Sequence, residues 1–293
     1  MPRRLAVIVN PTAGAGRARA ALPRIRAELD RLGADYHVIE TSSADHARVE
    51  ASGARERGEA VGALGGDGLV GTLAGRLCGG DSPLAVLPGG RGNDLARVLG
   101  IPTEPEPAAR VAVEGVEHPI DVPEVDGVSF VGIASCGFDS VANRIANEAR
   151  FVRGNLVYLY AALRALATWK HATFRVLVDG TQHSVTGWSV VVANSKAYGG
   201  GMYVVPHAEL DDGDLDVMLS AAGSKLHFLA HLPKVFKGTH VDDPRISFLR
   251  GAEIEVSADR PFAVYADGDP IGELPVRIRL APRALRVLVP AGS

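Results

Sequence analysis

Cysteine is scarce: the 293-residue chain holds Cys78 and Cys136 and no CxxC pair. That excludes a disulfide framework and a cysteine zinc site, and fits a reduced cytoplasm. A basic excess is also missing. Lys and Arg number 31 against 34 Asp and Glu, for a net charge of −3, so no nucleic-acid partner is expected. No GxxxxGK[ST] occurs, which rules out a P-loop and leaves phosphate binding to backbone amides. Ser135 lacks a Gly-x-Ser-x-Gly elbow, and His227 and His231 lack the glutamate of HExxH, so they read as surface or packing histidines. Met1 to Asn10 has neither a long apolar region nor a cleavage site and reads as a first strand. The longest apolar stretch, Phe151 to Trp169, is broken by Arg153, Asn155 and Arg164, which predicts an amphipathic helix rather than a membrane span.

Glycine, by contrast, is placed with purpose. Gly65-Gly66-Asp67-Gly68 and Pro88-Gly89-Gly90-Arg91-Gly92-Asn93-Asp94 each follow an apolar strand-like run and precede a helix-like one. Such turns let the backbone approach a ligand and offer free helix N–H groups to an anion. Asp67 and Asp94 add carboxylates, which beside a polyphosphate call for a divalent cation or a reacting hydroxyl between them. Asn10-Pro11-Thr12-Ala13-Gly14-Ala15-Gly16 is a third turn of this kind. Gly66-x-Gly68-x-x-Gly71 also matches the dinucleotide fingerprint, with Arg91 able to favour a 2′-phosphate, so an NADP-dependent enzyme stays open at this point.

The first third alternates strand and helix: strands over Leu5–Asn10, Tyr36–Glu40, Ala60–Leu64 and Leu84–Leu87, and helices over Arg17–Leu32, Ala44–Arg57, Leu69–Leu77 and Asp94–Leu99. This predicts a parallel sheet covered by helices, with the glycine turns at the strands' C-terminal ends. A proline-rich joint, Ile101 to Pro107, precedes a further helix. From about Asp121 onward strands dominate, at Val128–Ala134, Phe174–Val178, Trp188–Ala193, Leu215–Leu219, Glu253–Ser257, Phe262–Tyr265 and Val276–Leu280, with helices at Ser140–Trp169 and Lys225–Lys237. The expected fold class is α/β: a Rossmann-like parallel-sheet nucleotide domain over residues 1–121 and a β-sandwich-like domain over residues 122–293, the last strand being a candidate to pack back on the first domain.

Together these motifs resemble the diacylglycerol kinase catalytic-domain family, whose fold is related to sphingosine kinases and NAD kinases. The resemblance runs nearly the whole chain, through Asn10-Pro11, Gly65 to Gly68, Gly92-Asn93-Asp94, Asp121, Gly137-Phe138-Asp139, Asn194, Tyr198 to Gly201, Pro206 to Asp216 and Asp267-Gly268-Asp269. It implies ATP- and Mg²⁺-dependent phosphorylation of a lipid hydroxyl, with diacylglycerol giving phosphatidic acid, in a cleft between an ATP domain and a lipid domain. By the same resemblance the nucleotide side comprises Asn10, Pro11, Thr41, Gly65, Gly66, Asp67, Gly68, Leu69, Gly71, Gly90, Arg91, Gly92 and Asn93. Asp67 would organise phosphates and Mg²⁺, while Asp94 and Asp121 would shape the cleft's charge. Asp269 stands where the family usually carries a glutamate general base. Asp-Gly is otherwise an ordinary turn signal. Glu209, Asp212 and Asp214 resemble a structural Mg²⁺ loop, with a side-chain oxygen from Asp212 and carbonyls from the other two.

The sequence departs from the family pattern at Leu69, at Gly71-Thr72 and at Arg91, where threonine, an Asn-Glu pair and threonine are usual. Arg91 can substitute as a bidentate phosphate clamp. A soluble nucleotide kinase like NAD kinase and a non-catalytic nucleotide or lipid binder therefore stay open. The resemblance also implies a cytoplasmic enzyme that visits a membrane surface to reach its lipid, through basic clusters at Arg144, Arg150, Arg153, Arg164 and Lys170 and at Lys225, Lys234, Lys237, Arg245 and Arg250. Oligomeric state is left open, a homodimer included.

Overall fold

The computed structural model describes residues 4–149 and 156–292. Met1 to Arg3 and the basic residues Arg150 and Arg153, with Phe151 and Asn155, lie outside the described residues. The chain begins β1 (Leu5–Val9), α1 (Ala13–Arg31), β2 (Tyr36–Glu40), α2 (Ala44–Glu56), β3 (Ala60–Gly65), α3 (Asp67–Leu77), β4 (Leu84–Pro88), α4 (Asp94–Val98) and α5 (Pro105–Glu114). β1 pairs in parallel with β2 and β3, and β3 with β4. β1, β3 and β4 are buried along their whole length, which is why they read as unbroken apolar runs rather than alternating ones. One face is covered by α1 and α5 through Leu22, Ile25, Leu29, Ala108 and Ala112, the other by α2 and α3 through Ala47, Ala51, Val70 and Leu73.

Strand order β2-β1-β3-β4 reverses direction between β1 and β3, the position where open α/β sheets form a crevice at the strand ends. Local chemistry sets the helix starts. Ser43 Oγ accepts the amide of His46 to cap α2, and Pro105 occupies the first position of α5. The first turn of α1 is left-handed at Gly14, Ala15 and Gly16, so regular helix begins at Arg17 as the sequence predicts.

The second half comprises β5 (Val116–Val125), β6 (Val128–Ser129), β7 (Ile133–Gly137), α6 (Phe138–Glu148), α7 (Leu156–Thr168), β8 (Ala172–Val178), β9 (Thr181–Ala193), β10 (Leu215–Ala221), α8 (Lys225–Val235), a 3₁₀ turn (Thr239–Asp242), β11 (Ile246–Gly251), β12 (Glu253–Ala258), β13 (Ala263–Ala266), β14 (Asp269–Glu273) and β15 (Val276–Val289). β9 pairs with β8 along its first half and lies between β7 and β10 along its second. β9 thus changes partners midway along its length, and an aromatic cluster forms around Trp188 where it does so. Trp188 stacks on Phe228 of α8 with centroids 4.3 Å apart, and Phe138 meets Trp169 and Trp188 edge-on at 5.6 Å. Each such ring contributes on the order of 0.5–1.5 kcal/mol beyond its buried area, so this cluster fixes α6, α7 and α8 on the sandwich.

β15 joins the two halves. Val276 to Arg279 pair antiparallel with β12, and Val287 lies parallel to Leu84 of β4, while β5 runs antiparallel beside most of the strand. Position 121 falls inside β5. That strand starts earlier than the sequence suggests because Pro119 and Pro123 mask it, and it tolerates them because β15 is its partner for most of its length. The expected continuous helix Ser140–Trp169 is instead α6 and α7, with the backbone extended at Ala149 (φ −72°, ψ 105°). The sequence does mark the division, since Arg150, Arg153, Gly154 and Asn155 interrupt the apolar pattern there.

Candidate active site

A cleft of about 1080 Å³ opens over the C-terminal ends of β1 to β4 and is closed on the far side by Val131, Gly132, the Tyr198 loop and the β13–β14 turn. Asn10, Pro11, Thr41, Gly66, Asp67, Gly68, Leu69, Gly90, Arg91, Gly92, Asp94 and Asp269 all line it. The fold therefore brings together turns that are far apart in sequence.

The two glycine turns touch. A Cβ on Gly90 would sit 2.4 Å from the Cα of Gly66, so any side chain there would force the turns apart. Asp67, the first residue of α3, accepts the amides of Asn93 (2.9 Å) and Asp94 (2.7 Å), one on each carboxylate oxygen. It thereby ties β3's turn to the start of α4. Burial, and secondarily the charge of Asp94, raises its pKa against the pull of these amides. Asn93 itself is left-handed (φ 53°), and its Oδ1 accepts the amide of Gly90 at 2.9 Å. Asp94 reaches across to the second half, accepting the amides of Gly200 and Gly201 at 2.8 Å each. On the opposite wall Asn10 Oδ1 accepts the amide and hydroxyl of Thr12, and Thr41 Oγ1 donates to the Val9 carbonyl.

The β13–β14 turn supplies the far carboxylates. Asp267 and Gly268 both have positive φ (50° and 94°), giving a two-residue hairpin turn in the tightest register. The Asp267 carboxylate accepts the amides of Val131, Gly132 and Ile133, and burial still pushes its pKa up to about 6 against these bonds. Asp269 emerges on the cleft side. A Cβ built on Gly68 would lie 3.5 Å from its Oδ2. The residue as a whole is exposed, but its carboxyl end turns into the cleft, where loss of water raises its pKa.

Some expected residues lie elsewhere. Gly65, Gly71 and Asn93 stand behind the cleft wall. Leu69 is nearly buried against Gly65 and belongs to the core as much as to the cleft, whereas Arg91 is exposed at the rim. Asp121 is fully buried and is not a cleft residue. Its oxygens accept the amides of Gly213 (2.8 Å) and Arg283 (2.6 Å), bracing the acidic loop against a bulge in β15.

The Glu209–Asp214 loop also differs from expectation. Asp212 Oδ1 accepts the Asp214 amide, and its Oδ2 meets the Arg250 guanidinium at 2.5 Å. Arg250 further pairs with Asp214 and Asp216 at 3.3 and 3.5 Å. With its one side-chain ligand engaged by a guanidinium, this donor set does not fit Mg²⁺ while Arg250 holds that place. Arg245 is likewise paired, with Asp243, so two of the residues expected to form a basic patch are neutralised locally.

Sequence reasoning did not find Asn143, which donates to the Tyr198 hydroxyl at 2.8 Å, or Ser195, whose buried hydroxyl has no hydrogen-bond partner among the described residues; both line the cleft. No motif surrounds either one. They are brought there by α6 and by the end of β9.

Comparison with known proteins agrees with this geometry. Residues 4–125 match the diacylglycerol kinase catalytic domain, and residues 132–289 match the YegS C-terminal NAD kinase beta sandwich-like domain. The chain belongs to the diacylglycerol kinase and YegS lipid kinase family. Among family members, a diacylglycerol kinase of Mycobacterium tuberculosis is 35% identical over 98% of this chain and 95% of its own length. One from Bacillus subtilis is 27% identical over 98% and 97%. The crystal structure of a diacylglycerol kinase from Bacillus anthracis superposes with a TM-score of 0.81 at 22% identity, covering 99% of this chain and 98% of that one, which establishes the shared family fold.

Proposed function

We propose that the protein is an ATP-dependent lipid kinase whose acceptor is diacylglycerol and whose product is phosphatidic acid. The observation that carries this reading is the position of Asp269, delivered from the second half of the chain to face Gly68 in a phosphate-side glycine turn. A hydroxyl bound between them would pass its proton to the Asp269 carboxylate as its oxygen bonds to the γ-phosphorus and the bond to the ADP oxygen breaks. The glycine contacts at Gly66 and Gly90 leave room for backbone, not side chain, which suits close approach of phosphates. ATP supplies the phosphoryl group, with Mg²⁺ to neutralise its charge. Asp67 and Asp94 hold the turns in place through their amide bonds. Each Asp67 oxygen keeps a further lone pair, so the residue fits a cation that accompanies the nucleotide.

The lipid would arrive past Phe236, which is exposed and lines the cleft. α7 exposes Tyr160 and Leu163 with Arg164, and α8 exposes Leu226 with Lys234, and such mixtures of apolar and cationic side chains suit peripheral contact with an anionic bilayer. Among the described residues no helix is long and apolar enough to cross a membrane.

The test is phosphate transfer from labelled ATP in mixed micelles holding diacylglycerol, ceramide or a sphingoid base separately, with NAD as a soluble acceptor. Transfer to diacylglycerol alone is expected. Transfer to NAD would replace this reading with a nucleotide kinase, and ATP binding without transfer would make the protein a binder.

A further inference from the structure

On the side of the sandwich, α8 presents His227 and His231 one turn apart, with ring centroids 3.9 Å apart. Asp243, which follows the 3₁₀ turn, points its Oδ2 at both: it contacts His227 Nε2 and lies 3.4 Å from His231 Nε2. The ligand-capable atoms of the three residues all lie within 4.8 Å of one another. Among the described residues no other such group of three side chains occurs.

The hydrogen bonds fix the chemistry of this cluster. His231 Nδ1 donates to the His227 carbonyl at 3.0 Å, so its Nε2 bears the lone pair, and the Lys234 ammonium donates to that lone pair at 3.1 Å. A nitrogen lone pair and a carboxylate oxygen face each other and need a cation between or beside them. Arg245 answers the same need, with its guanidinium 2.8 Å from His227 Nε2 and 3.3 Å from Asp243 Oδ1. Both cations sit on long, solvent-reaching side chains that can swing away, whereas Asp243 is nearly buried and held by the Arg245 amide. A histidine whose Nδ1–H bonds a carbonyl while Nε2 bears the lone pair is the outer-shell arrangement of metal-bound imidazole, and His231 has it. A second observation points the same way. The cluster borders a cavity of about 150 Å³, and there His240, which is buried and bonds the Val204 carbonyl through Nε2, leaves its Nδ1 without a partner among the described residues.

We propose that His227, His231 and Asp243 form a site for a divalent transition-metal ion of the zinc class. Two imidazoles and one carboxylate favour Zn²⁺ or Co²⁺ over Mg²⁺, and three protein ligands leave a position open towards solvent. Binding would displace Lys234 and Arg245 and clamp α8 to the segment that enters β11. The site does not depend on the kinase reading, since none of its three ligands lines the large cleft.

The test uses untagged full-length protein freed of metal with chelator, titrated with Zn²⁺ by calorimetry and with Co²⁺ by visible absorption. One ion per chain is expected, with Mg²⁺ unable to compete. His231→Gln should weaken Zn²⁺ by about 100-fold, as loss of one of three ligands does. Lys234→Met, an exposed change that removes the competing ammonium, should tighten it by about 3-fold or more. Absence of Zn²⁺ binding at micromolar concentrations overturns the proposal, as does binding that His231→Gln leaves unchanged. Lys234→Met is read on a folded protein whatever His231→Gln does to stability, and an unaltered affinity in that variant also overturns the proposal.

Discussion

Asp94 and Gly200 are joined across the cleft: the carboxylate that opens α4 accepts the Gly200 amide at 2.8 Å, and its other oxygen takes the next amide along. The start of α4 and the glycine loop of the second half therefore share a bond that contributes to both stability and cleft shape. Asp94→Ala should cost about 2–3 kcal/mol, the scale of losing charge-assisted bonds and leaving buried amides unpaired. Urea unfolding with an unchanged m-value would show it, and a loss under 0.5 kcal/mol would mean that the loop is held by other contacts.

Asp269→Ala should lower kcat by about 10²–10⁴-fold with little change in ATP affinity, the range expected for loss of a general base. Asp269→Glu should recover most of the rate. The base works ionised and burial raises its pKa, so activity should fall on the acid side at a pH above the ordinary aspartate value of 3.8. A pH profile of kcat that keeps the same acid limb in Asp269→Ala would remove this role.

Arg250 bridges Asp212, Asp214 and Asp216. The melting temperature of the native protein should therefore be the same in EDTA and in millimolar Mg²⁺. Arg250→Met should lower it in EDTA and make it rise with Mg²⁺, because three neighbouring carboxylates then lack a counter-charge. A Mg²⁺-dependent rise in the unmodified protein would show that the ion displaces Arg250.

Asp139 lies in the first turn of α6, and desolvation pushes its pKa up to about 6 despite a bond from Ser189. Its folded pKa lies above its unfolded one, so the native state binds the proton more tightly. The stability it supplies is complete below the unfolded value near 3.8 and is lost as pH rises through about 6. The shift corresponds to about 3 kcal/mol over that window, which Asp139→Asn should remove from the pH dependence of unfolding. Equal slopes in the two proteins between these limits would show that Asp139 does not titrate with folding.

Local periodicity made the first sheet legible. β1, β3 and β4 are short apolar runs that end in turns carrying glycine or proline, and the cleft glycines follow them by the simple rule that ligands gather at strand C-terminal ends. The second half was less readable. Pro119 and Pro123 hid β5, and the apolar runs on either side of Arg150 to Asn155 were read together as one helical region. In the site, Asn10, Asp67, Asp94 and Asp269 were visible as turn residues and Thr41 through the family resemblance alone, whereas Asn143 and Ser195 carried no local signal.

What the sequence determined by itself was therefore the alternation of strands and helices in the first sheet, the glycine turns and the carboxylates beside them, because each follows from backbone conformation or side-chain chemistry within a few residues. Which carboxylate faces the cleft was decided only in the tertiary structure. Asp121 and Asp269 look alike in the sequence as aspartates beside strand-forming runs. Yet Asp121 is sealed between Gly213 and Arg283, while Asp269 turns towards Gly68. The same holds for Asp212 and the histidines of α8, whose partners Arg250 and Asp243 lie 38 and 16 residues away in sequence. Charges this far apart along the chain meet only when sheets pair, and pairing over such distances is fixed by the burial of whole faces rather than by any residue's own preference.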